Sequence, residues 1–100
     1  MKRTSSMVYK ETEESRELYL VAVNDGDIYE SLTASILENL RKKVKKGTYD
    51  ADKAVDSYYR IATEASNWYK KMFGYGFSVQ DRFTVAVDLE TYYREHIGLE

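Results

Sequence analysis

The segment ADKAVDSYYRIATEASNWYKKM, residues 51–72, carries the strongest helical periodicity in the chain and is the best guide to its fold class. Its apolar side chains recur every three or four residues, which places them on one face of a helix. They are Ala54, Tyr58, Ile61, Ala65, Trp68 and Met72. Asp50 precedes the stretch and is a suitable N-cap, and Asp52 follows where the helix dipole favours negative charge. We predict a helix over 51–72.

The preceding segment repeats this pattern with a spacing of four. Its apolar positions are Ile28, Leu32, Ile36, Leu40 and Val44. It ends in lysines followed by Gly47, which is typical of a helix C-terminus. Asn24-Asp25-Gly26 is a turn signal, and Asp27 is a suitable N-cap after it. The segment therefore predicts a helix over 27–46.

Two glycines between aromatic residues interrupt the chain at 73–77. Ser78 followed by Asp81 resembles a capping box, with aspartate in place of the usual glutamate or glutamine. The apolar positions that follow have helical spacing: Val79, Phe83, Ala86, Leu89, Tyr93 and Ile97. They predict a third helix over 78–96, ending before Gly98.

The N-terminal part is harder to interpret, because a short apolar run such as 15–23 fits either a strand or a helix. Its valines and Tyr19 suit a strand. Ser15 as N-cap, with Glu17 in the first turn, suits a helix. We favour the helix, since a lone strand has no partner in a helical chain. Residues 1–14 are polar and mixed in charge, and we predict a flexible tail there.

The links between these elements are short, and short links favour antiparallel neighbours. The chain has no proline and five glycines, which also favours long helices. We therefore predict an all-α protein: a small bundle of three long amphipathic helices plus the short N-terminal element, forming one helical domain over 15–100.

The sequence lacks the residues that several kinds of catalytic and metal-binding site require. There is no cysteine, which excludes disulfides and thiolate nucleophiles, and the one histidine, His96, falls at a predicted helix end. Asp25-Gly26-Asp27 fails the EF-hand pattern, and there is no phosphate-binding glycine loop or nucleophile elbow. No acidic residue falls inside an apolar stripe, where burial would shift its pKa. We expect no enzyme activity, no metal and no cofactor.

The N-terminus has no apolar stretch after its basic residues, so it does not resemble a signal peptide. The longest apolar run, Leu18 to Val23, has six residues, whereas a membrane span needs about 18 or more. We expect a cytoplasmic protein with no membrane partner.

Positive charge is concentrated in one place, although the formal net charge is −2. The cluster consists of Arg41, Lys42, Lys43, Lys45 and Lys46. Three interpretations stay open: a solvated helix end that complements the dipole, a contact for an acidic protein, or a contact for nucleic-acid phosphates. Tyr49, Tyr58 and Tyr59 would add stacking to a nucleic-acid contact if they were exposed.

Ten tyrosines are a high count for 100 residues. Tyr58 and Tyr93 are expected in the core, but too many others remain for all to face inward. Exposed tyrosine suits interfaces, because it offers a large contact area at low entropic cost. We add Tyr49, Tyr59 and Tyr75 to the basic cluster as the candidate interaction surface.

Three segments carry a resemblance to a known family. They are ELYLVAVNDGDIY (17–29), NLRKKVKKGTYD (39–50) with Lys53-Ala54, and FSVQDR (77–82) followed by Tyr92-Tyr93. Together they resemble small uncharacterised proteins encoded by tailed bacteriophages and related mobile elements. The likeness covers Glu17 to Ile97, and its most specific part is the basic helix end followed by Gly-Thr-Tyr-Asp. The family brings no established activity, so no catalytic residue is carried over.

The resemblance implies a phage or mobile-element protein acting in the cytoplasm of a bacterial host. It leads us to expect a non-enzymatic protein that occupies a host protein, such as an anti-CRISPR or other inhibitor of host defence. The alternative is a nucleic-acid-binding accessory protein that uses residues 41–46. Homodimerisation is compatible with either role.

Overall fold

The computed structural model describes residues 8–99, in which every regular element is helical. Helix α1 spans Glu13–Asn24, α2 spans 26–46, α3 spans Ala51–Phe73 and α4 spans Val79–Tyr93. A 3₁₀ turn, Glu95–Ile97, follows α4. The predicted all-α small bundle is confirmed. None of the helices in this part of the chain is long and apolar enough to cross a membrane.

Helices α3 and α4 form the centre of the bundle and make its most extensive helix–helix contact. Helix α3 begins where predicted, because the Asp50 carboxylate accepts from the backbone N–H of Asp52 at 2.9 Å. It ends before Gly74, which has a φ of 91°. Ile61 and Leu89 are fully buried between the helices. Burial of each such side chain contributes about 1.5–3 kcal/mol.

Helix α2 has three parts: Gly26–Ile28, a π-helical turn Tyr29–Thr33, and Ala34–Lys46. Its N-cap is Asp25, whose carboxylate accepts from the Ile28 N–H at 2.9 Å, so the predicted cap at Asp27 was wrong. The Gly47 terminus is confirmed. Gly47 has a φ of 75°, and the Thr48 N–H donates to the Lys43 carbonyl at 2.9 Å. These bonds satisfy carbonyls that the helix leaves unpaired.

Helix α1 confirms the preference for a helix over a strand, but it begins at Glu13, earlier than predicted. Thr12 is the N-cap and Ser15 the third helical residue, so the predicted cap at Ser15 was wrong. The Thr12 hydroxyl accepts from the Ser15 N–H at 2.9 Å, and the Ser15 hydroxyl accepts from the Thr12 N–H at 2.8 Å. This reciprocal pair satisfies two donors that a helix start leaves open.

Residues 8–12 lie along α4. The Lys10 N–H donates to the Thr84 hydroxyl at 3.0 Å, and this hydroxyl donates to the Lys10 carbonyl at 3.0 Å. Of the predicted tail over 1–14, residues 1–7 lie outside the described residues and 13–14 form the first turn of α1. The flexibility of the tail stays a prediction.

Helix α4 begins as predicted, since the Ser78 hydroxyl accepts from the Asp81 N–H at 3.0 Å. The Asp81 carboxylate does not complete a capping box but accepts from the Thr12 hydroxyl at 2.9 Å, joining the starts of α1 and α4. The predicted end near His96 was too late, because regular α-helix ends at Tyr93. The chain then tightens into the 3₁₀ turn, and Gly98 follows with a φ of 93°.

Candidate functional site

The five basic side chains of the predicted surface are all exposed at the end of α2. The Arg41 guanidinium donates to the His96 carbonyl through Nε at 3.2 Å and Nη2 at 3.0 Å. It therefore helps to hold the C-terminal turn. The four lysine side chains form no hydrogen bond or ion pair within residues 8–99. We call Arg41 to Lys46 the basic helix end.

The three predicted tyrosines do not join the basic residues in one surface. Tyr49 lies beside the basic helix end, but it is half-buried and donates to Glu90 Oε2 at 2.7 Å. Tyr59 is half-buried beneath the Arg82 guanidinium, 5.4 Å from the ring centre. Tyr75 is exposed, but it follows the C-terminal end of α3, whereas Tyr49 precedes its N-terminal end. The helix between them is about 33 Å long at 1.5 Å per residue.

Tyr58 is fully buried, so it has no face free for stacking on a base. This removes one of the aromatic residues considered for a nucleic-acid contact. It also confirms that Tyr58 belongs to the core, as does Tyr93 at 4% exposure.

Glu90 corrects the expectation that no acidic residue is buried, since it is 8% exposed. Its carboxylate accepts from the Tyr49 hydroxyl at 2.7 Å and pairs with the Arg94 guanidinium at 2.6 Å. A buried carboxylate needs such partners to offset its lost hydration. Glu90 therefore has a structural role: its hydrogen bond with Tyr49 connects α4 to the segment 47–50 that precedes α3.

A groove of about 530 Å³ lies between α1 and α4. It is lined by Glu11, Arg16, Tyr19, Leu20, Asp88, Thr91 and Tyr92. The rings of Tyr19 and Tyr92 meet edge to face, with 6.0 Å between centroids. The Tyr9 hydroxyl donates to Asp88 Oδ1 at 2.9 Å. The groove thus has two tyrosines in its lining, and a third, Tyr9, is hydrogen-bonded to its Asp88 carboxylate.

The electrostatics of the groove centre on Asp88. Burial raises the pKa of this carboxyl, and the hydrogen bond from Tyr9 opposes the rise. The same hydrogen bond raises the pKa of Tyr9 to about 12. Burial raises the pKa of Tyr19 as well. Both phenols are therefore protonated at neutral pH, and the proton of the Tyr9 hydroxyl is donated to Asp88.

Leu20 stands on the outer side of α1 and is 56% exposed. Besides the groove, it lines a shallow hollow of about 300 Å³ on the side of Trp68. The Trp68 ring in turn meets the exposed Phe73 ring at 6.1 Å. Apolar surface therefore continues across α1 from one hollow to the other.

Tyr69 packs beneath the part of this apolar surface that Phe73 and Tyr75 form. Its ring contacts Phe73 at 4.7 Å and Tyr75 at 5.1 Å, and its hydroxyl donates to the Glu17 carboxylate. That hydrogen bond raises the pKa of Tyr69. We define the α1 face as Tyr19, Leu20, Trp68, Phe73, Tyr75 and Tyr92.

His96 connects the α1 face to the basic helix end. Its ring stacks on Tyr92 at 5.7 Å, and its carbonyl accepts from Arg41. The residue thus has a packing role at the C-terminus of the bundle, in keeping with its predicted place at a helix end.

Sequence reasoning missed most of the α1 face. Leu20 belongs to the apolar run from Leu18 to Val23, but it lies two positions from Leu18 and Ala22, which are buried. Two positions are 200° apart around a helix, so helical spacing alone places Leu20 on the side opposite Leu18 and Ala22. The Tyr9–Asp88 pair carried no local signal, because 79 residues separate the two side chains.

No family model, no curated protein and no solved structure matches this chain. The part of the chain that the structure describes also holds no group of three or more side chains placed to bind a metal ion.

Proposed function

We propose that this chain is a non-enzymatic binding protein that acts by occupying another protein, and that the α1 face is its contact surface. One observation carries the proposal: aromatic and aliphatic side chains lie exposed side by side across α1 and the end of α3. Leu20 is 56% exposed and Phe73 59%. Extended apolar patches on a small protein mark interaction sites.

The composition of the surface supports a protein partner. Aromatic residues are enriched at the centres of protein–protein interfaces, where they supply most of the binding energy. The rings here are already ordered by contacts with one another and by the Tyr69–Glu17 hydrogen bond. Binding would therefore cost little side-chain entropy.

The resemblance to phage proteins supports the choice of a host protein in the bacterial cytoplasm as the partner. On the resemblance alone, we place that partner among bacterial defence proteins, CRISPR effectors included. Self-association of the chain through the α1 face is compatible with this role, and light scattering at increasing concentration would reveal it.

The test is affinity capture from a bacterial lysate with three tagged proteins: the natural chain, Leu20→Ser/Phe73→Ser and Lys45→Ser/Lys46→Ser. Both double variants change exposed side chains. We expect a stoichiometric partner with the natural chain and the lysine variant, and its loss with the α1-face variant. Absence of any stoichiometric partner, or its retention by Leu20→Ser/Phe73→Ser, contradicts the proposal.

Binding of nucleic acid by the basic helix end is the second candidate. The observation that favours it is the set of four exposed lysine side chains with no partner within residues 8–99. If each contacts one phosphate of duplex DNA, affinity should fall about 150-fold between 50 and 200 mM salt. Fluorescence anisotropy would measure this fall. Affinity that is absent at low salt, or unchanged by replacing residues 41–46, eliminates this candidate.

A further inference from the structure

We infer that the groove between α1 and α4 receives the side chain of an arginine residue of the partner protein, with Asp88 as its counter-ion and the tyrosines as its walls. The inference rests on the proposed function and deepens it, because it names the chemistry that the partner presents.

The carboxylate is the first element of the argument. Asp88 is partly buried and lines the groove. Its Oδ1 accepts from Tyr9, and the carboxylate forms no ion pair with any basic side chain of residues 8–99. A carboxylate in a hollow accepts strong hydrogen bonds from an incoming cation, and guanidinium groups match its geometry.

Asp88 is the carboxylate of the groove that is free to act as counter-ion, because the other carboxylate, Glu11, is paired with Arg16. Arg16 pairs with Glu11 at 3.6 Å, with both side chains well exposed. The lining therefore holds two carboxylates and one guanidinium, a net charge of −1. An arginine from outside would neutralise that charge without displacing the Arg16–Glu11 pair.

The aromatic walls are the second element. Tyr92 is 47% exposed; the His96 ring stacks on it at 5.7 Å, and Tyr19 meets it edge to face at 6.0 Å. Faces of aromatic rings attract cations within about 6 Å, and arginine is the most frequent partner. The chain already contains one such contact, between Arg82 and Tyr59 at 5.4 Å. Leu20 offers an apolar surface for the aliphatic part of the side chain.

The size of the groove is the third element. About 530 Å³ lies within the range of roughly 300–1,000 Å³ typical of ligand sites. It exceeds the volume of one side chain, so the groove has room for the backbone on either side of the arginine. A groove of this size accommodates an arginine side chain together with its flanking backbone.

The experiment uses the full chain labelled with ¹⁵N and titrated with three capped pentapeptides of glycine that carry arginine, citrulline or lysine at the centre. Citrulline keeps the shape of arginine and lacks the charge. We expect saturable shifts of the Tyr19, Leu20 and Tyr92 amide signals with the arginine peptide. Citrulline and lysine should bind at least about fivefold more weakly.

Matched variants separate the site from general electrostatics. Asp88→Asn and Glu38→Gln each remove one negative charge, and Glu38 is exposed on α2 outside the groove. Tyr92→Leu keeps apolar bulk but removes the ring. We expect Asp88→Asn and Tyr92→Leu to weaken arginine binding at least about fivefold, and Glu38→Gln to leave it unchanged.

Equal binding of the citrulline or lysine peptide overturns the assignment to arginine, as do equal effects of Asp88→Asn and Glu38→Gln. Capture of a partner that depends on Leu20 and Phe73 but not on Asp88 overturns this inference while the proposed function stands. Failure to capture any partner counts against the function itself.

Discussion

At the scale of single residues, Tyr58 and Tyr49 show two ways of placing a phenol next to a core. Tyr58 is fully buried, its ring stacks on Tyr93 at 5.9 Å, and its hydroxyl has no hydrogen-bond partner within residues 8–99. Tyr49 is half-buried and donates to the buried Glu90 carboxylate. An unpartnered buried hydroxyl costs about 1–3 kcal/mol, whereas a partnered one contributes to stability.

We therefore expect opposite effects from removing the two hydroxyl groups. Tyr58→Phe should leave the free energy of unfolding unchanged or raise it by up to about 1 kcal/mol, because it removes an unsatisfied group. Tyr49→Phe should lower it by about 1–2 kcal/mol, because Glu90 loses a donor. Urea denaturation measures both. A larger loss from Tyr58→Phe than from Tyr49→Phe would show that the Tyr58 hydroxyl has a partner.

At the scale of elements, Thr12 stabilises the start of α1 through two hydrogen bonds of its hydroxyl group. The Thr12 hydroxyl accepts from the Ser15 N–H and donates to the Asp81 carboxylate at 2.9 Å. The first bond begins α1, and the second fastens it to the start of α4. The position of α1, and with it the groove, thus depends on a residue outside the helix.

Replacement of Thr12 tests this dependence. Thr12→Ala removes both bonds and should lower the free energy of unfolding by about 1–2 kcal/mol, while Thr12→Ser keeps the hydroxyl and should cost much less. Amide hydrogen exchange should quicken at the start of α1 in Thr12→Ala. If alanine and serine had equal effects, the methyl group rather than the hydroxyl would be the stabilising part.

At the scale of the whole molecule, two different surfaces share a small bundle. The α1 face is largely apolar, and the basic helix end carries four exposed lysines that form no ion pair within residues 8–99. His96 lies between them, with its ring on Tyr92 and its carbonyl on Arg41. Because salt screens charge but hardly affects apolar contacts, a steep salt dependence of partner binding indicates the lysines of the basic helix end, and a shallow one indicates the α1 face with the adjoining carboxylate of Asp88.

The tyrosines also determine how the whole molecule responds to alkali. The pKa of Tyr9 is raised to about 12 by its bond to Asp88, and that of Tyr93 to about 12 by burial. Burial raises the pKa of Tyr58 too. The folded chain therefore holds these protons more tightly than the unfolded chain, whose tyrosines titrate near 10. The associated stability is complete below about pH 10 and is lost as the pH rises through 12.

We accordingly expect the free energy of unfolding to fall between about pH 10 and 12, with phenolate absorbance and loss of helical circular dichroism rising together. Tyr9→Phe should reduce the steepness of this fall, because it removes one of the shifted groups. Titration of every tyrosine near 10 with the helices intact would contradict the assignment.

The order of the helices and several of their ends follow from local sequence patterns. Asp50, Ser78 and Gly47 act where the pattern placed them, because caps and helical periodicity depend on hydrogen bonds between residues at most five positions apart. The choice between Asp25 and Asp27, or between Thr12 and Ser15, was less secure, since neighbouring residues can compete for one cap.

The packing of the helices, in contrast, determines which side chains share a surface. It buried Glu90, paired Tyr9 with Asp88 across the bundle, and left Leu20 outside an otherwise apolar run. It also separated Tyr75 from the basic residues with which the sequence had grouped it. Burial and charge pairing depend on what packs over a residue, and residues that meet across a bundle leave no trace in the local spacing of the chain.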